Sequence, residues 1–276
     1  MTDRDEPVPV TVDSSMNAEF GDLRKGTLRG IPFVVARFVL LNLCRIVLGL
    51  RVEGVHNVPR SGRLLVLSNH LHNADPVLIC IATPRPVHFM AKRELMKIPV
   101  IGRLIRFAGA FQVDRGRADR AAIRRAIAKL DQEIAVGVFP EGTRSKSRQI
   151  ENVLAGAGLI AVKGGSPVVP LAITGSERLP FNGSKSVGDG AGRANRGITI
   201  RFGEPFTLPP TVDGKRTTSE MAIDLIMQRI AAMLPESYRG VYSSSLRSST
   251  STLGSNSPSS SATDSVAGTT NAPSSS

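Results

Sequence analysis

Apolar positions between residues 23 and 242 follow two periods in turn, one of strands and one of helices. Short, nearly continuous apolar runs occur at Arg63–Ser68, Val136–Phe139, Val168–Ile173 and Ile198–Phe202. Runs of that length, apolar at almost every position, predict strands covered on both faces. Pro170 inside the third run has no N–H for a ladder and predicts an irregular or edge position. Helical spacing marks Ala118–Gln132, where Ala121, Ala122, Ile123, Ala126, Ile127 and Leu130 oppose Arg120, Arg124, Arg125 and Lys129. It marks Thr218–Leu234 as well, with Thr218 or Ser219 as N-cap. This alternation predicts an α/β domain with a mixed, mostly parallel central sheet flanked by helices. The polar, Gly-rich stretch Asn182–Gly197 reads as a long loop.

Ile31–Leu50 approaches the length of a bilayer span and is nearly all apolar. Arg37 and Arg45 lie inside it, and each would cost about 2.5–3.5 kcal/mol at the centre of a membrane. At about 100° per residue, Arg37, Arg45 and Asn42 fall at about 0°, 80° and 140°, within one face. The expectation is an amphipathic helix lying in a membrane interface. A helix capping the core and a true span are the alternatives. No signal peptide is read, because the apolar stretch begins only near residue 31 and the residues before it are not basic at the terminus.

The chain has 276 residues, 41% of them hydrophobic, which excludes a fully disordered protein. Its ends differ from its middle. Residues 1–22 read as an acidic mobile arm, and residues 243–276 as a disordered Ser/Thr-rich tail. That leaves residues 23–242 as the folded domain, the apolar helix included. The net charge of +12 conceals −5 in the arm and zero in the tail, so the domain carries +17. Such a surface attracts nucleic acid, an anionic leaflet or phosphorylated small molecules. Aromatic residues for stacking bases are scarce, with no Trp and two Tyr, which argues against nucleic acid. Cys44 and Cys80 sit in apolar runs and read as buried thiols in a reducing compartment.

Candidate chemistry gathers in three polar runs after predicted strands. The first is Ser68-Asn-His-Leu-His-Asn-Ala-Asp-Pro76. If the chain turns into a helix at Ala74–Asp75, the Asp75 carboxylate reaches back to His70. It would then fix the imidazole tautomer and leave the other ring nitrogen as a general base. An N-cap role for Asp75 fits the same spacing. His70-x-His72-x-x-Asp75 also has the look of a metal site, but four histidines in the whole chain supply too few ligands. The second run, Gly109-Ala-Phe-Gln-Val-Asp-Arg115, is a short strand delivering Asp114 and Arg115. The third, Phe139-Pro-Glu-Gly-Thr-Arg-Ser145, offers Gly142 for close backbone approach and Arg144 as a phosphate fork, or as an ion-pair partner of Glu141. Gly156-Ala-Gly-Leu-Ile-Ala161 mimics a dinucleotide fingerprint but follows a polar stretch where a strand is required.

Taken in order, Asn69-His70-x4-Asp75-Pro76, Gly109…Asp114-Arg115, Phe139-Pro-Glu-Gly-Thr-Arg144-Ser145 and Val168–Ile173 resemble the four blocks of the glycerolipid acyltransferases, nearest the 1-acylglycerol-3-phosphate branch. Ala91-Lys-Arg-Glu-Leu95 belongs to the same resemblance, which spans about residues 50–210. Two positions depart from it: His72 stands where the family often has Ser, and Val153-Leu154-Ala155-Gly156 lacks the lysine of a Phe-Lys-x-Gly run.

The resemblance implies acyl transfer from acyl-CoA or acyl-carrier protein to the sn-2 hydroxyl of 1-acylglycerol-3-phosphate, with His70 as base and Asp75 behind it. Backbone N–H groups near the His70–Asp75 turn are then the candidate oxyanion donors. Substrate binding falls to Arg144, Arg115 and Lys92 for the phosphate, with Glu141, Gly142 and Thr143 around it. Glu141 is expected to orient Arg144 or the acceptor. With no Gly-x-Ser-x-Gly elbow, direct transfer is expected in place of an acyl-enzyme. No metal and no cofactor beyond the thioester co-substrate is implied. The implied partners are a membrane surface, the lysophospholipid and possible acyl-carrier protein, without nucleic acid, at the cytoplasmic face of a membrane as a peripheral or monotopic protein. Glycerol 3-phosphate or another lysophospholipid as acceptor, and a non-catalytic lipid- or nucleic-acid-binding protein, are the alternatives.

Overall fold

The computed structural model of the protein describes residues 31–92, 111–113, 120–180, 197–212 and 214–244. Along the chain run α1 (Ile31–Leu48), β1 (Arg51–Glu53), β2 (Leu64–Ser68), α2 (Asp75–Ala82), β3 (Val87–Lys92), β4 (Phe111–Val113) and α3 (Arg120–Asp131). There follow β5 (Ala135–Val138), α4 (Ala155–Gly164), β6 (Val168–Thr174) and β7 (Thr199–Phe202). The short hairpin β8 (Thr211–Val212) and β9 (Lys215–Arg216), then α5 (Ser219–Met233) and α6 (Glu236–Arg239), complete the described part. The arm 1–22, most of the tail, the 182–196 stretch, Asp114 and Arg115 lie outside these residues.

Seven of these strands form one sheet in the order β1-β7-β6-β2-β5-β3-β4. Every neighbouring pair is parallel except β6 with β7. The mixed, mostly parallel α/β architecture read from the sequence is therefore the observed one. β2 is buried at all its positions, as a parallel strand between β6 and β5 must be. Helices α3, α4 and α5 pack side by side, α3 against β5 and α5 against β6. Thr218 caps α5, its hydroxyl accepting the Met221 N–H at 3.3 Å.

Two expectations need correction. Of the irregular and edge positions expected for Pro170 only the edge is corrected, since β6 is an interior strand whose pairing is interrupted beside the proline. The neighbouring β7 ends at Phe202, and the chain returns to pair with Val168 only at Phe206. Pro170 lies beside that gap, where its carbonyl accepts the Gly203 N–H at 2.8 Å and a missing N–H costs no ladder bond. The glycines of Gly156–Ala161 lie within α4, which the sequence reading did not anticipate, and Gly158 lets the α5 backbone approach closely.

The second correction concerns α1. Arg37 is not on an outward polar face with Asn42 and Arg45. Its guanidinium turns inward and donates to the Thr83 and Ala82 carbonyls at 2.6 and 2.9 Å, satisfying the end of α2. Arg37 thus shares the inner side of α1 with Leu41, Cys44 and Leu48, which pack on the core. Facing outward are Val35, Phe38, Val39, Leu43, Ile46 and Val47, each more than half exposed. Among the described residues no helix is long and apolar enough to cross a membrane.

Candidate active site

Strands β6, β2 and β5 run in the same direction, so their carboxyl ends lie side by side. Open α/β sheets place ligands at that edge. The segment leaving each strand contributes to one polar cluster.

Asn69, the first residue after β2, prolongs the β2–β6 pairing with its side chain. Its Nδ2 donates to the Ile173 carbonyl and its Oδ1 accepts the Ile173 N–H, both at 2.9 Å. This two-point bond holds the next residue, His70, at the sheet edge. The His70 Nδ1 lies 2.9 Å from Asp75 Oδ2, with the carboxylate wholly buried. Asp75 Oδ2 also accepts the Leu71 and His72 N–H groups, each at 2.7 Å. Asp75 begins α2, yet its carboxylate reaches back into the preceding turn, and Ala74 is the N-cap residue. The expected His–Asp contact is therefore present, and the capping alternative is not what the carboxylate does. An acceptor-only carboxylate fixes the proton on Nδ1 and leaves the lone pair on Nε2.

The ring is held from its face too. Phe139, at the end of β5, stacks on His70 with centroids 4.0 Å apart, and Phe89 of β3 stacks on Phe139 at 5.1 Å. Gly137 lies opposite Phe89 in the β3–β5 pairing, and a Cβ there would come within 2.4 Å of the Phe89 ring. The glycine in β5 is thus the space that the aromatic stack occupies.

Beyond Phe139 the chain makes a tight turn, with the Gly142 N–H donating to the Phe139 carbonyl at 3.0 Å and Gly142 at φ 66°. Glycine meets that left-handed conformation without strain. The turn brings Glu141 inward, where Oε1 accepts the His70 backbone N–H at 2.9 Å. Glu141 thereby organises the turn that carries the imidazole. Burial pushes its carboxyl up to about 7, against the pull of that hydrogen bond. Thr143 is exposed and Arg144 half-buried beside it. The Ser145 N–H donates to the His70 carbonyl at 2.8 Å, so the Arg144 segment is laced directly to the turn that carries His70. Lys92 ends β3, two strand positions from β2 on the same edge. Arg115 lies outside the described residues.

The turn narrows the choice of backbone donors for an oxyanion. The N–H groups of His70, Leu71, His72, Ala74 and Asp75 are all committed, to Glu141, Asp75, Asp75, His72 and the His72 carbonyl respectively. Stiffening the turn occupies these five donors, and Asn73, exposed between His72 and Ala74, is not among them. The thiols are inert by environment: burial pushes Cys80 up to about 12 and raises Cys44. Sequence reasoning gave no role to Asn69, Phe89, Phe139 or Gly137, whose partners are distant in the chain. It weighed His72 only as a metal ligand, yet backbone groups engage both its ring nitrogens.

This geometry coincides with a family match. Residues 49–174 match the Acyltransferase family model, and the match encloses every residue placed above except the segment after Thr174. Among curated relatives, the 1-acyl-sn-glycerol-3-phosphate acyltransferase of Borreliella burgdorferi is 27% identical over 49% of this chain and 57% of its own length. The human 1-acyl-sn-glycerol-3-phosphate acyltransferase alpha is 32% identical over 51% of each chain. The matches thus span about half the length of these relatives. The crystal structure of the 1-acyl-sn-glycerophosphate (LPA) acyltransferase PlsC from Thermotoga maritima has the same fold. It aligns with a TM-score of 0.52 at 24% identity, over 76% of this chain and 86% of that one.

Proposed function

We propose that the protein transfers a fatty acyl group from acyl-CoA or acyl-carrier protein to the sn-2 hydroxyl of 1-acylglycerol-3-phosphate, yielding phosphatidic acid. The observation that carries this reading is the buried His70–Asp75 contact at the carboxyl ends of the central strands, inside the stretch that matches the Acyltransferase family model. With Nδ1–H held by Asp75, His70 Nε2 takes the hydroxyl proton as the oxygen bonds to the thioester carbon. The adduct expels the thiolate as the C–S bond breaks, and the imidazolium returns its proton to sulfur. Asp75 stabilises the transient imidazolium. No nucleophilic side chain need be acylated, in keeping with two thiols held protonated by burial. Arg144 binds the acceptor phosphate as a planar fork, with Lys92 and Arg115 as further cations and Glu141, Gly142 and Thr143 shaping the turn.

The outward face of α1 fits the interfacial role. Its large apolar side chains would enter the headgroup boundary while Arg37 secures the helix to α2. A lipid acceptor would then reach the site from the bilayer surface, on the cytoplasmic side. The test is thiol release by the full-length protein on vesicles, with acyl-CoA and acyl-carrier protein compared across lysophosphatidate, glycerol 3-phosphate and other lysophospholipids. Lysophosphatidate is expected to be the preferred acceptor. His70→Ala should lower kcat by about a hundredfold or more with an unchanged circular dichroism spectrum. Substantial turnover by that variant would remove His70 as the base.

A further inference from the structure

A second imidazole in the same turn has no part in the proton transfer just described. His72 is buried, and its two nitrogens serve two separate pieces of backbone. Nδ1 accepts the Ala74 N–H at 3.0 Å, and Nε2 lies 3.2 Å from the Pro180 carbonyl. Only one protonation state satisfies both: neutral, with the hydrogen on Nε2. Pro180 closes the segment leaving β6, after the turn Ser176–Arg178. His72 therefore bridges the segment after β2 to the segment after β6, across the edge where the site lies.

The bridge also bears on the base. The His72 N–H and the His70 Nδ1 share one acceptor, Asp75 Oδ2. Any shift of residue 72 is thus transmitted to the carboxylate that orients His70. A serine, often found here in the family this chain resembles, could accept the Ala74 N–H but is too short to span to Pro180. Resting on the acyltransfer reading, we propose that His72 is a positioning residue that fastens the β6 exit segment to the catalytic turn, and that protonating its ring undoes the fastening.

The physical reason is donor against donor. A second ring proton would sit on Nδ1, facing the Ala74 N–H, and that hydrogen bond would be lost. The surroundings hold the neutral form at ordinary pH. Burial lowers the His72 pKa most, and the charges of Arg144 and His70 lower it further, while Asp75 and the Pro180 carbonyl work the other way. The balance lies below the usual histidine value.

The test compares the wild type with His72→Ser and His72→Ala, full-length, in thiol release across pH 5 to 8. Loss of a single base gives log(kcat/KM) an acid limb of slope about one; protonating His72 as well would add a further fall of about tenfold and steepen the limb over the range where that ring titrates. The wild type should steepen and His72→Ser should not. At pH 7.5, His72→Ala should lose about tenfold in kcat, the scale set by a slightly misplaced base, and His72→Ser less. Identical acid limbs in the wild type and His72→Ser would overturn the proposal.

A second readout needs no turnover. Imidazole nitrogen resonances, assigned by the signal missing in His72→Ser, should show a neutral Nε2–H ring titrating below the usual histidine value. An Nδ1–H tautomer, or titration at or above that value, would overturn the fastening. If the wild type releases no thiol from any acceptor pair, the acyltransfer reading fails, and these resonances still decide whether the bridge exists.

Discussion

The turn from Ser68 to Asp75 and the helix α1 are both rich in polar-to-apolar contrast, yet they are built in opposite senses. In the turn, polar side chains lie inside and spend their hydrogen bonds on one another and on backbone, through Asn69, His70, His72 and Asp75. In α1, the well-bonded cation Arg37 faces the protein, and the large apolar side chains face out. Burial of paired polar groups yields a rigid geometry, because each orphaned partner would cost about 1–3 kcal/mol. Exposure of apolar groups yields a surface that gains by meeting something less polar than water. On the proposed reading, one region serves chemistry and the other a membrane boundary.

The largest expected effect tests the boundary. Replacing Phe38 and Ile46 together by Asp removes two of the most exposed apolar side chains of α1. Each would contribute about 1.5–3 kcal/mol if buried in lipid, so binding to anionic vesicles should fall by about a hundredfold or more in sedimentation. Thermal stability should stay within about 0.5 kcal/mol, since both side chains are already exposed. Undiminished vesicle binding would show that this face meets some other surface.

The turn should respond in the reverse way. Gly137→Val pushes into the Phe89 ring that supports Phe139 and His70, and should cost about 2–3 kcal/mol in denaturant unfolding with a lower kcat. Full stability in that variant would mean the aromatic stack can shift freely and is not what holds the imidazole.

The smallest effect is a pH slope. Folded Glu141 keeps its proton to about pH 7, whereas an unfolded glutamate releases it near 4.5. The folded state therefore binds more protons across that window. The contribution of the neutral carboxyl is fully present below about pH 4.5 and drains away as pH rises towards 7. Glu141→Gln should remove this slope, at most about 1.4 kcal/mol per pH unit, and flatten the dependence of Tm between pH 5 and 7. An equal slope in both proteins would show that Glu141 is ionised in the fold.

Much of this was legible along the chain, and the exceptions share a cause. The buried strands, α3, α5 and the approach of Asp75 to His70 follow from local period and spacing, which neighbouring residues carry among themselves. Pro170 left an irregular and an edge position open, because tolerance of a proline depends on where the adjacent strand ends, and β7 ends at Phe202. Arg37 misled because a helical wheel shows which residues share a face but not which face meets the protein. The oxyanion donors were not legible because free N–H groups cannot be counted before their partners are known. Strand β3 escaped notice with His88 and Lys92 breaking its apolar run.

By itself the sequence determined the alternation of strands and helices, the basic body between two polar ends, and a histidine within reach of a carboxylate. Those properties need only short-range geometry. The tertiary structure alone decided that Asn69 zips onto Ile173, that His72 reaches Pro180 and that Arg37 closes α2. These partners lie 104, 108 and 46 residues apart, and hydrogen bonds of that span exist only after the sheet has brought its carboxyl ends and its covering helices together.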